Sequence, residues 1–279
     1  MKRFPIRWVV ALPPEARPVI AAFDLQRDEN ASRGGFPVFS SECGQVKLVQ
    51  SGIGKVNAAA ATAWLSAQES PDAGAALWLN FGVAGSSGFE LGSICRADRV
   101  VDFATGRSWY PQAVWKKKHD LPGCEVISVD APTADYPEGP KVLEMEAAGF
   151  FPIALKSASA ELVQVVKVVS DGPGDSLEKV TPKLAADLCE AALQEMTPWL
   201  EAVSEIAAEE QQRLDDPEGF EELLQKWHFT STRKHQLKRL LQQWGARWPE
   251  ESVLSSEVLE GCRNAEGFLQ KLRSRLWPI

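Results

Sequence analysis

The stretch KVLEMEAAGFF, residues 141–151, places two carboxylates around one methionine just before an apolar run. Glu144 and Glu146 are therefore ionisable groups in a segment that the surrounding composition predicts to be buried. Paired carboxylates in a buried place can hold hydroxyl groups or exchange protons, because burial and mutual repulsion change their pKa values. Taken alone, they also fit solvated acids in a helix's first turn, where the helix dipole favours negative charge.

Further candidates for chemistry follow other apolar runs. Four stretches combine small residues, turns and acids: ALPPEARPV (11–19), SGIGKVNAA (51–59), NFGVAGSSG (80–88) and VVSDGPGD (168–175). Open α/β sheets build their sites where strands end, so we expect these stretches to meet. Each is weak by itself. SGIGK lacks the spacing of a phosphate-binding P-loop, Glu15 fits a helix start after two prolines, and Asp171 fits a turn.

The elements that must position these residues alternate along the chain. Apolar, β-branched runs predict strands at 6–12, 36–40, 46–50, 75–81, 99–103, 124–129 and 163–169. Helical patterns occupy 56–68, the stretch after Leu143, and 175–203. This alternation predicts an α/β fold whose helices cover a sheet on both faces.

The pattern changes after about Ser204, where no further strand-like run follows. DDPEGFEELLQKW begins with an Asp cap, a proline and first-turn acids, as helices often do. We therefore predict two domains, residues 1–203 and an all-helical C-terminal extension at 204–279.

One helix of this extension has an unusual charge distribution. Between Lys226 and Arg247 there are six Lys/Arg and two His but no acid. The same segment carries an apolar stripe with helical spacing, formed by Leu237, Leu240, Leu241 and Trp244. A solvated helix explains the charges, and a partner or nucleic-acid surface is the alternative. We predict that the stripe is buried within the protein or at a subunit contact.

Composition narrows the functional classes. The formal net charge of −8 disfavours a general binder of nucleic acid or anionic membranes and suits a soluble enzyme. Five widely spaced cysteines and three histidines form no zinc motif, so we expect no metal, no other cofactor and a reducing, cytoplasmic setting. The short apolar run near the N-terminus does not fit a signal peptide, and no stretch reaches the length of a membrane span.

Five motifs, taken in order, resemble the nucleoside phosphorylase superfamily, and specifically its 5′-methylthioadenosine/S-adenosylhomocysteine nucleosidase branch. The matching segments are Ala11 to Glu15, Ser51 to Val56, Asn80 to Gly85, Glu144 to Ala147, and Ser170 with Asp171. The resemblance covers about residues 6–203. It implies a phosphorylase-like three-layer fold, with a central mixed sheet flanked by helices, and a homodimer.

The resemblance also implies an activity, hydrolysis of the N-ribosidic bond of an adenosine-type purine nucleoside. Asp171 would give a proton to purine N7, and Glu15 would activate the water. Glu146 would hold the ribose hydroxyls, Met145 would pack on the sugar, and Glu144 would support the site. The remaining substrate-binding candidates are Val83, Ala84, Gly85, Lys167 and Ser170.

Three residues depart from the family pattern. Val83 stands where the family usually has serine, Lys167 where it has arginine, and Pro132 where an aromatic residue stacks on the purine. The region between 103 and 124 is also short, and Trp109, Tyr110 or Trp115 are candidates to replace a missing wall. Two alternatives to a nucleosidase therefore stay open, a phosphate-dependent phosphorylase and a catalytically weakened nucleoside-binding or scaffold protein.

Overall fold

The computed structural model describes residues 5–69, 75–114, 120–133, 135–175, 180–255 and 257–277. The chain divides into two compact units, Met1–Arg213 and Leu214–Ile279. This division falls later than the sequence-based boundary at 203/204, because one helix runs from Thr197 to Leu214.

The described part of the first unit contains ten strands in one mixed sheet. They are β1 (Ile6–Val10), β2 (Gln26–Arg27), β3 (Val38–Ser40), β4 (Val46–Gln50), β5 (Leu77–Gly85), β6 (Ile94–Asp102), β7 (Ser108–Trp109), β8 (Gly123–Ser128), β9 (Lys141–Glu144) and β10 (Val163–Asp171). The main order is β10-β6-β8-β9-β5-β1-β4-β3-β2, and β7 pairs with β6. Because β10 and β9 each also pair with β5, the strands β5, β10, β6, β8 and β9 close on themselves.

Helices cover both faces of this sheet. They are α1 (Pro13–Phe23), α2 (Lys55–Ala67), α3 (Ala147–Ala154), α4 (Pro182–Glu195) and α5 (Thr197–Leu214). Successive side chains of β1 point to opposite faces. Trp8 belongs to a buried cluster with residues of α1, α4 and α5, whereas Val9 belongs to one with residues of α2 and α3. The predicted three-layer arrangement is thus confirmed.

One prediction about a helix needs correction. The pattern at 175–203 does not form one helix, since α4 ends at Glu195 and Met196 separates it from α5. Pro182 and Pro198 each lie in a first turn, where a missing N–H leaves no helical bond unmade. Part of the predicted segment, residues 176–179, lies outside the described residues.

The described residues of the second unit form helices joined by turns and loops, with no strand among them. It contains α6 (Phe220–Lys226), α7 (Ser231–Arg247) and α8 (Ala265–Leu276). Thr230 and Asn264 cap α7 and α8, each accepting a hydrogen bond from a backbone N–H of the first turn. The predicted stripe of α7 is buried in one cluster with residues of α8, Phe268 among them, which confirms its intramolecular burial.

None of the described helices has the combination of length and hydrophobicity needed to cross a bilayer.

Candidate active site

A cavity of about 300 Å³ lies where several strand ends of the first unit meet. β1, β5 and β10 run parallel, so their carboxyl ends lie at the same edge of the sheet. The walls include Leu12 and Glu15 after β1, residues 83–85 of β5, residues 143–146 around the end of β9, and Ser170 with Asp171 of β10. All five stretches singled out in the sequence thus line one cavity, the 51–59 stretch through Ile53.

Glu15 is held in place by two backbone groups. It lies in the first turn of α1, where its Oε2 accepts a hydrogen bond of 2.8 Å from the Leu12 N–H and caps the helix. Its Oε1 accepts one of 2.8 Å from the N–H of Val83. Burial raises the pKa of Glu15, against the opposing effect of the Val83 N–H. This carboxylate is therefore fixed in position and has an increased affinity for a proton.

Glu144 ends β9 and forms a buried ion pair. Its Oε2 lies 2.8 Å from the Nζ of Lys167, and both side chains are almost wholly inaccessible. Ser128 and the backbone N–H groups of Glu146 and Ala147 also donate hydrogen bonds to the carboxylate. Burial alone would raise the pKa of Glu144, but Lys167 and these donors lower it. Glu144 thus stays ionised and anchors the ammonium.

Glu146 lies at the start of α3 and has weaker charge compensation. Its Oε1 accepts a hydrogen bond of 2.8 Å from the Gly54 N–H, at the start of α2, and its Oε2 is 4.0 Å from the Nζ of Lys167. Gly54 has a φ of 102°, which favours glycine. Burial, followed by repulsion from Glu144, raises the pKa of Glu146 to about 7. A carboxyl group with an increased affinity for a proton therefore faces the cavity.

Asp171 is held differently, by hydroxyl groups. Ser170 Oγ donates a hydrogen bond of 2.6 Å to its Oδ1, and the hydroxyl of Tyr136 donates a short one to its Oδ2. Asp171 is 8% exposed and Tyr136 is partly buried, and both line the cavity. Burial, with a contribution from Asp171, raises the pKa of Tyr136 above its ordinary value. The phenol therefore remains protonated at neutral pH.

Two glycines of the NFGVAG stretch make room for these carboxylates. A Cβ on Gly82 would lie 2.6 Å from Oε1 of Glu15. A Cβ on Gly85 would lie 2.8 Å from Oδ2 of Asp171 and 2.5 Å from a ring carbon of Tyr136. Real Cβ atoms do not approach other atoms so closely, so the glycine spacing is explained by the acids that pack against β5.

The structure brings most of the sequence-predicted site residues together. The lining includes Glu15, Val83, Ala84, Gly85, Glu144, Met145, Glu146, Ser170 and Asp171. Lys167 does not line the cavity but lies behind Glu144. The alternative that Glu144 and Glu146 are solvated acids is wrong, because they are only 4% and 7% exposed.

Sequence reasoning missed Tyr136. The sequence-based candidates were Pro132, which does line the cavity, and the aromatic residues Trp109, Tyr110 and Trp115. Trp109 instead packs against a buried cluster of the sheet, Tyr110 is 59% exposed, and Trp115 lies outside the described residues. Tyr136 is four residues after Pro132 in the same loop, so an aromatic at the end of SVDAPTADY was the available signal.

The arrangement has a definite chemical character. Four residues with carboxyl groups line one cavity, Glu144 among them with its carboxylate paired to Lys167, and the described lining residues include no lysine, arginine or histidine. Such a site can stabilise a positive charge that develops in a bound molecule and can exchange protons with it. Within the described residues, no group of three or more His, Cys, Asp or Glu is arranged to hold a metal ion.

Comparison with known proteins matches part of the chain to a family. Residues 5–139 match the profile of the family described as "Phosphorylase superfamily". No curated protein sequence matches the chain.

Solved structures share the fold at low sequence identity. The 5′-methylthioadenosine nucleosidase of Arabidopsis thaliana has a TM-score of 0.60 at 16% identity, covering 73% of this chain and 97% of its own. The 5′-methylthioadenosine/S-adenosylhomocysteine nucleosidase of S. pneumoniae, solved with a transition-state inhibitor, has a TM-score of 0.55 at 20% identity, covering 72% and 100%. Futalosine hydrolase of Helicobacter pylori has a TM-score of 0.53 at 15% identity, covering 71% and 98%. The resemblance of this chain to the nucleoside phosphorylase superfamily, which the five motifs indicated, is thereby confirmed.

Proposed function

We propose that this protein is a purine nucleosidase that hydrolyses the N-ribosidic bond of an adenosine-type nucleoside. The observation that carries the proposal is the cavity with four carboxyl groups, Glu15, Glu144, Glu146 and Asp171, whose described lining has no cationic side chain. Cleavage of this bond passes through a ribosyl cation, which such a cavity stabilises more strongly than the neutral nucleoside. Similar folds in proteins described as nucleosidases support the same class of reaction.

Each carboxyl group has a separate role in this mechanism. Asp171 gives a proton to N7 of the base as the bond between N9 and C1′ breaks. Glu146 accepts hydrogen bonds from the ribose hydroxyls, and Met145 packs on the sugar. Glu15 takes a proton from the water that attacks C1′. Glu144 holds Lys167, which limits the total negative charge of the empty site.

Hydrolysis is a better fit than phosphorolysis. A phosphate site is generally built from arginine side chains and glycine N–H groups. The described cavity lining contains no arginine or lysine, and the nearby ammonium of Lys167 is bonded to Glu144. An incoming phosphate would therefore be repelled by the carboxylates, and no described lining residue offers a cation to bind it.

The departures at Val83 and Lys167 are compatible with catalysis. The backbone N–H of Val83 holds Glu15, a contact that needs no hydroxyl in the side chain. Lys167 supplies its charge to Glu144 at 2.8 Å, a distance that one ammonium reaches without the planar fork of arginine.

We also propose that the first unit forms a homodimer. Exposed apolar side chains occur near the start of α2 and after β6: Ile53 is 50% exposed, Val56 82% and Phe103 72%. Ile53 also lines the cavity, so a second copy on this surface would help to close the site. Light scattering at micromolar concentration tests the proposal, and a monomer mass contradicts it.

The domain boundary at 203/204 and a cytoplasmic location remain predictions.

The central experiment measures adenine release from adenosine, methylthioadenosine and adenosylhomocysteine, with and without phosphate. Asp171→Asn should reduce turnover by roughly 10²–10⁴-fold, because it removes the proton donor but keeps the shape. Asp187→Asn, on the exposed side of α4, is the matched control and should have no effect. Equal turnover by wild type and Asp171→Asn would show that the acid is assigned wrongly. Nucleoside binding without base release under either condition would favour the binding-protein alternative, and release only with phosphate would favour a phosphorylase.

A further inference from the structure

Tyr136 lies at the end of the cavity where Asp171 is placed. Its hydroxyl is hydrogen-bonded to Oδ2 of Asp171, while Ser170 Oγ occupies Oδ1. Both oxygens of the carboxyl group are thus engaged by side chains of the protein itself. A ligand that approaches Oδ2 from the side of Tyr136 must displace the phenol, because the hydroxyl already occupies that position.

The loop that carries Tyr136 is fixed by hydrogen bonds that do not involve the tyrosine side chain. Tyr136 lies in the irregular segment between β8 and β9. The segment after it is tied down, because Ser87 Oγ donates a hydrogen bond of 2.7 Å to the Pro137 carbonyl, and Ser86 Oγ donates one of 2.7 Å to the Lys141 carbonyl. The tyrosine side chain itself has only two torsions, and its ring packs against the small apolar cluster of Ile127, Val129 and Leu143.

We infer that Tyr136 is a specificity-determining residue, whose hydroxyl occupies on Asp171 the hydrogen-bonding position that a nucleobase must take. The inference rests on the proposed function, in which Asp171 faces the base. In the empty protein the phenol satisfies Oδ2, and a bound base displaces it. Gly85 permits this arrangement, since a Cβ there would collide with both the ring and the carboxyl group.

Displacement of the Tyr136 phenol affects which bases can bind. A base whose edge presents an N–H toward Oδ2 replaces the hydrogen bond that the phenol gave up. A base without such a donor that displaces the phenol loses this hydrogen bond and forms none in its place, which weakens its binding. The hydroxyl of Tyr136 therefore favours binding of bases that carry an N–H donor on this edge, because only these replace its hydrogen bond to Asp171.

The chain offers a matched pair for the test, because it contains only two tyrosines, Tyr110 and Tyr136. Tyr136→Phe keeps the ring and removes the competing hydroxyl, while Tyr110→Phe makes the same change at an exposed position. Calorimetry with adenosine and adenine should show Tyr136→Phe binding roughly 10-fold more tightly than wild type, the usual order for a hydrogen bond to a charged group. Tyr110→Phe should bind as wild type does.

A second measurement does not depend on the folding of Tyr136→Phe. Wild type with ring-¹³C tyrosine gives two tyrosine signals by NMR, and Tyr110→Phe identifies them by leaving only that of Tyr136. Saturating adenine should shift the Tyr136 signal strongly and leave the Tyr110 signal in place.

The outcomes separate this inference from the proposed function. If wild type binds nucleoside and releases base while the Tyr136 signal stays fixed, or if Tyr136→Phe binds equally or less tightly, the inference is wrong and the nucleosidase stands. If only Tyr136→Phe binds nucleoside, the competing hydroxyl is demonstrated directly. If neither protein binds any nucleoside, both the inference and the proposed function are overturned.

Discussion

The two ends of the cavity hold their carboxyl groups in different ways. Glu15, Glu144 and Glu146 accept hydrogen bonds from backbone N–H groups, and Lys167 adds a buried cation beside two of them. Asp171 instead accepts its side-chain hydrogen bonds from two hydroxyl groups, those of Ser170 and Tyr136.

This difference separates a fixed region from one that can change partners. A backbone N–H cannot turn away without moving a strand or a helix end, so the three glutamates are held in place before any ligand binds, as the proposed reaction would require. A hydroxyl turns by rotation of a side chain alone, so the Asp171 end can exchange a protein donor for a ligand. The glutamate end therefore suits electrostatic stabilisation, and the Asp171 end suits recognition and proton transfer.

The largest expected effect on stability comes from removing the buried cation at the glutamate end of the cavity. Lys167→Met removes the ammonium that pairs with Glu144 and leaves buried carboxylates uncompensated. The free energy of unfolding should fall by about 3–5 kcal/mol, as it does when one partner of a buried pair is lost. Urea unfolding followed by circular dichroism measures the change.

The double variant Lys167→Met/Glu144→Gln supplies the control for this prediction. Removing the second charge should recover part of the lost stability, because the remaining amide no longer carries an uncompensated charge. If Lys167→Met alone is as stable as wild type, the ion pair does not hold the glutamate end together.

Substitutions at two glycines of β5, Gly82 and Gly85, test the two ends of the cavity separately. Gly82→Ala presses a methyl group against Glu15, which two backbone groups hold, so strand and helix must shift. Overpacking of this kind costs about 1–3 kcal/mol. Gly85→Ala presses on the Tyr136 ring and on Asp171, and the tyrosine can turn away. We expect the larger loss of stability in Gly82→Ala, and thermal unfolding of both variants measures the difference. Equal losses would mean that the Asp171 end is as rigid as the glutamate end.

The sequence predicted seven of the ten described strands, because these lie in mainly apolar, β-branched runs, and it missed β2, β7 and β9. β10 illustrates this, since all nine of its residues are buried, including Lys167 and Asp171. The break between α4 and α5 was not predicted because the helical periodicity continues past Met196, and only the position of a proline marks the new start.

The site was predictable only where a motif fixed its residues. The acids at 15, 146 and 171 belong to motifs, and they do face one cavity. Which groups hold those acids depends on contacts distant in sequence: Val83 lies 68 residues from Glu15, and Tyr136 lies 35 from Asp171. No local pattern indicates such pairs, so the comparison of a fixed and an exchangeable end emerges only from the structure.

The smallest expected effect is a pH dependence of stability at the fixed end. Burial and the neighbouring Glu144 raise the folded-state pKa of Glu146 to about 7, from an ordinary value of 4.5. The folded protein thus binds this proton more tightly than the unfolded chain does. The resulting stabilisation is fully present below pH 4.5 and is lost as the pH rises through 7. Glu144 has a lowered pKa and Lys167 a raised one, so neither contributes a slope between pH 5 and pH 8.

Glu146→Gln isolates this contribution. Its amide oxygen still accepts the hydrogen bond from the Gly54 N–H, and the side chain no longer titrates. The Tm of wild type should fall between pH 5 and pH 8 relative to that of the variant. The raised pKa of Glu15 leaves some slope in both proteins, so the difference between them is the quantity to compare. Parallel Tm curves would mean that Glu146 is already ionised across this range, and the glutamate end would then carry one more full negative charge in the empty site.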